Sequence, residues 1–175
     1  KANLGLLVRA FSDLRNRNGR TEGVIVAAND GVAKLIHRRL NPLPTGLHLT
    51  QGDLDTAIHW ADIALTVSGT VSLDLTRHAT PMVGVYSIGL ISWILSKLLL
   101  RVPYRLLPNV LARDEIVPEF VPHLSWRGSG PIRDAAVAML ADSRYLAQAS
   151  AALAHVRAGF DGHDPATEAA DVILE

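Results

Sequence analysis

Ser68, Gly69 and Thr70 stand where the apolar run Ile63–Val67 gives way to a helical pattern, and Asp74 follows one turn later. Small residues let a ligand come close to the main chain, and free N–H groups at a helix start attract phosphate and other anions. The turn has a plainer reading too, since Ser, Gly and Thr are common caps between strand and helix. Asp74 lies four residues after Thr70, on the same helix face. Its carboxylate can accept from a pair of ribose hydroxyls, or simply sit near a helix start where the dipole favours an acid. Asn109 follows Pro108 at the end of an expected strand, Tyr104–Leu107, and so is expected on the same rim. There it would hydrogen-bond a ligand or merely close a turn. Glu115 and Glu119, four apart, share a face if their stretch is helical.

Other chemistries lack their signatures. There is no Gly-x-Gly-x-x-Gly for a dinucleotide, and Gly84 and Gly89 have P-loop spacing with Leu90 where Lys is needed. No Gly-x-Ser-x-Gly elbow occurs. The absence of cysteine removes disulfides, thiolate zinc sites and a Cys nucleophile, and fits a cytoplasmic location. The seven histidines are scattered, without His-x-His or His-Glu-x-x-His, so neither a metal nor another cofactor is expected. His78, a short helix beyond the turn, either reaches a phosphate or meets carbonyls at its own helix end.

The elements that must position these residues alternate. Leu4–Leu14 carries a helical stripe at Leu4, Leu7, Val8, Phe11 and Leu14. Strands are expected at Val24–Ala28, Leu47–Leu49, Ile63–Val67, Pro81–Tyr86 and Tyr104–Leu107, with helices at Val32–Leu40, Asp53–Trp60, Val71–His78 and Ile88–Leu100. Asp53 is the expected cap of its helix. Such alternation predicts an α/β fold, a doubly wound parallel sheet with right-handed crossovers, whose ligands bind at the carboxyl ends of the strands. Residues 112–122 read as short, charged and proline-interrupted, and Arg127–Pro131 as a linker. Two helices, Pro131–Ala141 and Arg144–Ala158, follow. Residues 1–127 are thus expected to form one lobe, and residues 128–175 a helical extension packed on it.

At 175 residues the chain suits one ordinary domain with a real core. Seventeen cationic and seventeen acidic residues balance, which argues against a nucleic-acid partner. The start is basic all the same: residues 1–40 hold eight Lys or Arg against three acids. Met82–Ser96 lacks charge for 15 residues, short of a membrane span. Helix 88–101, with Trp93, Leu95, Lys97 and Arg101, suits either packing on the sheet or a membrane interface. No signal peptide is visible and the chain begins at Lys1 without an initiator Met, so it is expected to be a fragment of a longer protein.

Taken in order, the pieces resemble the C-terminal half of the lipid-A-disaccharide synthases, which belong to the two-lobed (GT-B) nucleotide-sugar glycosyltransferases. The residues that carry the resemblance begin at His48-Leu49, Gly52 and Ala61-Asp62-Ile63-Ala64-Leu65. They continue through Ser68-Gly69-Thr70-Val71-Ser72-Leu73-Asp74, Pro81–Tyr86, Trp93–Leu99 and Val102-Pro103-Tyr104. Leu107-Pro108-Asn109-Val110-Leu111-Ala112, Glu115, Val117 and Glu119 complete them, so that residues 47–120 are covered. The resemblance implies a Rossmann-like lobe that holds UDP. Ser68, Gly69 and Thr70 would lie at the diphosphate, Asp74 at the ribose, Asn109 on the rim, and Glu115 among the UDP-binding residues. It implies transfer of a 2,3-diacylglucosamine unit from UDP to an acylated glucosamine 1-phosphate, with helix-start N–H groups stabilising the leaving diphosphate in place of a metal. The implied partners are the UDP-diacylglucosamine donor and an N-terminal lobe that carries the acceptor site and the base, so no catalytic residue is assigned here. The implied setting is cytoplasmic, peripheral on the inner membrane's cytoplasmic face. The C-terminal helices either return to the N-terminal lobe or serve self-association in a homodimer.

Two departures bear on activity. The family usually has Glu where Asp74 stands, one methylene longer. Its Ala-Gly-Arg-Glu becomes Ala112-Arg113-Asp114-Glu115, which moves the cation by one position and inserts an acid. A catalytically silent nucleotide-sugar binder, or another nucleotide-sugar enzyme of this architecture, are the alternatives.

Overall fold

A computed structural model describes residues 2–89 and 102–161. The element order is α1 (Ala2–Arg17), β1 (Gly23–Ala27), α2 (Asp30–Arg39), β2 (Leu47–Gln51), α3 (Leu54–Trp60), β3 (Ala64–Val67), α4 (Val71–Arg77) and β4 (Met82–Ile88). There follow α5 (Leu107–Ala112), β5 (Glu119–Leu124), a single 3₁₀ turn (Ser125–Arg127), α6 (Gly130–Ala141) and α7 (Ser143–Ala158). The fold is α/β with parallel strands and C-terminal helices, Rossmann-like as expected. Where one sheet was expected, two hydrogen-bonded sheets are found among the described residues: β1 pairs with β2, and β3-β4-β5 lie in that order, every pair parallel.

The main core gathers around β4. Met82, Val83 and Val85 are fully buried, as a central parallel strand covered on both faces requires. Burial of such side chains contributes about 1.5–3 kcal/mol each. Leu6, Ala10 and Leu14, four apart on α1, pack into this cluster with Ile132, Ala136 and Met139 of α6 and with Ala149 and Leu153 of α7. The neighbouring face of α1 supplies Val8 and Phe11 to a smaller cluster with Leu47 of β2. One amphipathic helix therefore serves both sheets. Asp53 caps its helix as expected, accepting from the Thr56 N–H (3.0 Å), and Asn29 caps α2 in the same way, accepting from the Val32 N–H (3.0 Å).

The last strand is a correction. Tyr104–Leu107 is not a strand; residues 102–106 are irregular and α5 begins at Leu107, with Pro108 in its first turn. Proline fits there because its missing N–H is one that a helix start leaves unused. The fifth strand is instead Glu119–Leu124, within and just beyond the stretch read as proline-interrupted. It lies at the edge of its sheet, where Pro122 removes no ladder bond that matters, and its register against β4 shifts between Val85 and Ser87. The helix expected over 88–100 begins on Ile88, which ends β4, and on Gly89, which is irregular; residues 90–100 lie outside the described residues.

Candidate functional site

The Ser68–Thr70 turn sits at the carboxyl end of β3. The Ser68 N–H still continues the ladder by donating to the Val85 carbonyl (2.9 Å). Beyond it the chain turns sharply: the buried Ser72 hydroxyl donates to the Gly69 carbonyl (2.6 Å), and the Leu73 N–H donates to that of Thr70 (2.8 Å). Gly69 and Thr70 are exposed, and their N–H groups donate to nothing among the described residues. Gly69 does not have a left-handed φ, and a Cβ there would meet only the Val67 carbonyl, at 3.9 Å. Neither backbone geometry nor packing demands glycine at this point. What a bare α-carbon does provide is close approach from outside.

Around the turn the expected residues separate. Ser68 is half-buried, and its hydroxyl is already engaged, donating to the Arg105 carbonyl at 3.1 Å. Asp74 is half-buried on α4, and its carboxylate has no hydrogen bond or ion pair among the described residues. Asn109 differs most from expectation. It lies in α5, not at a strand end, and is fully buried. Its Nδ2 donates to the Val117 carbonyl (3.0 Å) and to Glu119 Oε2 (3.1 Å), while its Oδ1 accepts from the N–H groups of Ile116 (3.1 Å) and Val117 (3.2 Å). An amide has two donors and two acceptor sites, so all four are used within the chain. Asn109 clamps the loop between α5 and β5.

Glu115 is exposed beyond α5, and its charge is felt at Tyr145 of α7, whose phenol is pushed up chiefly by burial and secondarily by that carboxylate. Among the described residues no hydrogen bond or ion pair joins it to the turn. His78 closes the far end of α4, but its ring meets neither of the expected partners: it pairs with the Asp55 carboxylate of α3 at 3.2 Å and lies edge-on to the His59 ring at 4.5 Å. Among the described residues no group of His, Cys, Asp and Glu can hold a metal ion.

Glu119 was not among the expected site residues, although it belongs to the resemblance. Its carboxylate accepts from the Arg105 N–H (2.8 Å), the Leu106 N–H (2.9 Å) and Asn109 Nδ2. Ser68 and Asn109 thereby join one network through Arg105 and Glu119. The Arg105 guanidinium adds a bond to the Val121 carbonyl (3.0 Å).

A family model described as lipid-A-disaccharide synthetase matches residues 2–153. The chain belongs to this family. Among relatives named lipid-A-disaccharide synthase, that of Alcanivorax borkumensis is 32% identical over 123 residues, covering 67% of this chain and 32% of that protein. That of Cellvibrio japonicus is 33% identical over 99 residues, 56% of this chain and 26% of that protein. That of Rickettsia conorii is 43% identical over 61 residues, 35% of this chain and 14% of that protein. The chain thus spans about a third or less of the length of the relatives it matches. The lipid-A-disaccharide synthetase match reaches well beyond residues 47–120, taking in α1, both strands of the small sheet, α6 and most of α7. No helix among the described residues is long and apolar enough to cross a membrane.

Proposed function

We propose that this chain is the UDP-sugar-binding lobe of a lipid-A-disaccharide synthase, the glycosyltransferase that moves a 2,3-diacylglucosamine unit from UDP to an acylated glucosamine 1-phosphate in lipid A biosynthesis. The observation that carries the reading is the turn at the carboxyl end of β3: exposed Gly69 and Thr70 N–H groups without partners among the described residues, in a chain of this family. Those N–H groups would receive the diphosphate, and the Asp74 carboxylate, unpaired among the described residues, the ribose hydroxyls. Ser68 is assigned to shaping the turn, since its proton is engaged with Arg105. Asn109 is assigned the same kind of role, through the α5–β5 loop. Catalysis of the transfer is assigned to residues outside this chain, in keeping with the third or less of its relatives that it spans. Titration with UDP tests the reading by amide shifts: residues 68–74 should move, and unmoved amides at millimolar UDP would overturn it.

A second reading, a relative that binds the nucleotide sugar without transferring it, draws on Arg113. This residue occupies a left-handed position (φ 55°) at the end of α5 and is exposed, one place before the family's arginine. Disaccharide formation by the product of the complete reading frame separates the two readings.

A further inference from the structure

We propose that Glu119 is a positioning residue for the Ser68–Thr70 turn, acting through the peptide group between Arg105 and Leu106. The inference rests on the reading of that turn as the donor's diphosphate site. A peptide group is a rigid plane, with its carbonyl and its N–H pointing in opposite directions. In this one the N–H donates to Glu119 Oε2 at 2.9 Å, and the carbonyl accepts the Ser68 proton at 3.1 Å. Glu119 and Ser68 therefore hold opposite ends of one inflexible unit. The second carboxylate oxygen takes the preceding N–H, that of Arg105, at 2.8 Å, so the plane can neither slide nor rotate without breaking a charge-assisted bond. Ser68 is the residue immediately before Gly69 and Thr70, whose N–H groups have no partner among the described residues. Whatever fixes its side chain fixes the direction from which Gly69 and Thr70 present those groups.

Glutamine at position 119 keeps the shape but replaces one acceptor oxygen with an NH₂ facing main-chain N–H donors, so the plane is released at one end. A merely structural Glu119 would lower stability and leave UDP affinity alone. A double-mutant cycle in UDP affinity distinguishes the roles. Ser68→Ala and Glu119→Gln should each weaken UDP about 3- to 10-fold, as loss of one or two hydrogen bonds implies. The double variant should bind no more weakly than the poorer single variant, because both changes cut the same connection. Wild-type affinity in E119Q, or a double variant that loses the product of the two single effects, overturns the proposal. If the unmodified chain binds no UDP at millimolar concentration, the donor reading fails by itself. Positioning is then read from the Gly69 and Thr70 amide shifts of the ligand-free variants: matching displacements in S68A and E119Q support it, and unmoved amides in E119Q overturn it. Should E119Q not fold, Glu119→Asp, which withdraws the carboxylate by one methylene, takes its place.

Discussion

Leu106 lies directly over Gly84 in the middle of β4. A Cβ built on Gly84 would stand 2.5 Å from Leu106 Cδ2 and 2.7 Å from Cδ1. Leu106 is fully buried, and its N–H is the one held by Glu119. The segment that supports the Ser68 turn is therefore pinned from two sides, by a carboxylate on β5 and by a gap in β4 that only glycine leaves open.

Gly84→Ala should consequently destabilise the chain. The leucine is hemmed in by the core and cannot swing away as an exposed side chain would. Overpacking of this kind costs about 1–3 kcal/mol. Urea unfolding checks it, with a lower midpoint and an unchanged slope expected. Because the displaced residue shares its peptide group with the Ser68 bond, the Ser68 amide should shift in the folded variant as well.

Asn109→Ala should lower stability more than an exposed ligand contact could. The substitution leaves the Val117 N–H and carbonyl without the partner they have now, while the Ile116 N–H keeps its second acceptor, the Asp114 carbonyl (3.1 Å). Each unsatisfied buried group costs about 1–3 kcal/mol, so for these two a total of roughly 2 kcal/mol or more is expected even after some relaxation. Asparagine on an open rim would leave the thermal midpoint almost unmoved, which makes the midpoint the deciding measurement.

Much of this arrangement was legible in the residues themselves, and the reasons for the gaps are specific. The first four strands are short apolar runs bounded by turn residues. Asp53 announces its helix because a carboxylate before an apolar repeat has little else to do. The turn at Ser68 is visible for the same local reason. Tyr104–Leu107 misleads because Pro108-Asn109 ends a strand as readily as it begins a helix. The choice is made by Glu119, 13 residues after Leu106, whose carboxylate takes the N–H groups just ahead of α5. β5 hides because Pro122 forbids a central strand but not an edge one, and edge position is a property of the assembled sheet. Asn109 is misplaced for the same cause: its partners lie 7–10 residues away, in a loop with no pattern of its own and at the first residue of β5.

Arg113→Gly should stabilise the chain. α5 ends with the Asp114 N–H donating to the Asn109 carbonyl (3.2 Å) and the Arg113 N–H to that of Val110 (3.3 Å), the paired bonds of a Schellman turn. That turn needs a left-handed residue, and Arg113 adopts φ 55° to provide it. A side chain there costs about 1–2 kcal/mol, part of which glycine returns through its greater freedom when unfolded. A net gain of about 0.5–1 kcal/mol is expected in urea unfolding. The family's glycine at this place in Ala-Gly-Arg-Glu is thereby given a backbone role. If R113G left UDP affinity unchanged, the displaced cation would have no part in holding the diphosphate.

Glu22 should make the chain sensitive to acid. Its carboxylate lies between Arg15 (2.7 Å) and His48 Nε2 (3.0 Å), linking the end of α1 to β2. The Arg15 hydrogen bond first, and that from His48 next, hold its pKa below the ordinary 4.5. A carboxylate with a lowered folded-state pKa contributes stability above its unfolded value, and that contribution is lost as pH falls through the folded one. Wild type should therefore melt above Glu22→Gln near neutral pH. The gap should narrow steadily below about pH 4.5, the unfolded-state value. Because the group is exposed, added salt should shrink the same gap at neutral pH. A difference in melting temperature that persisted at pH 2 would mean that Glu22 acts by packing and not by charge.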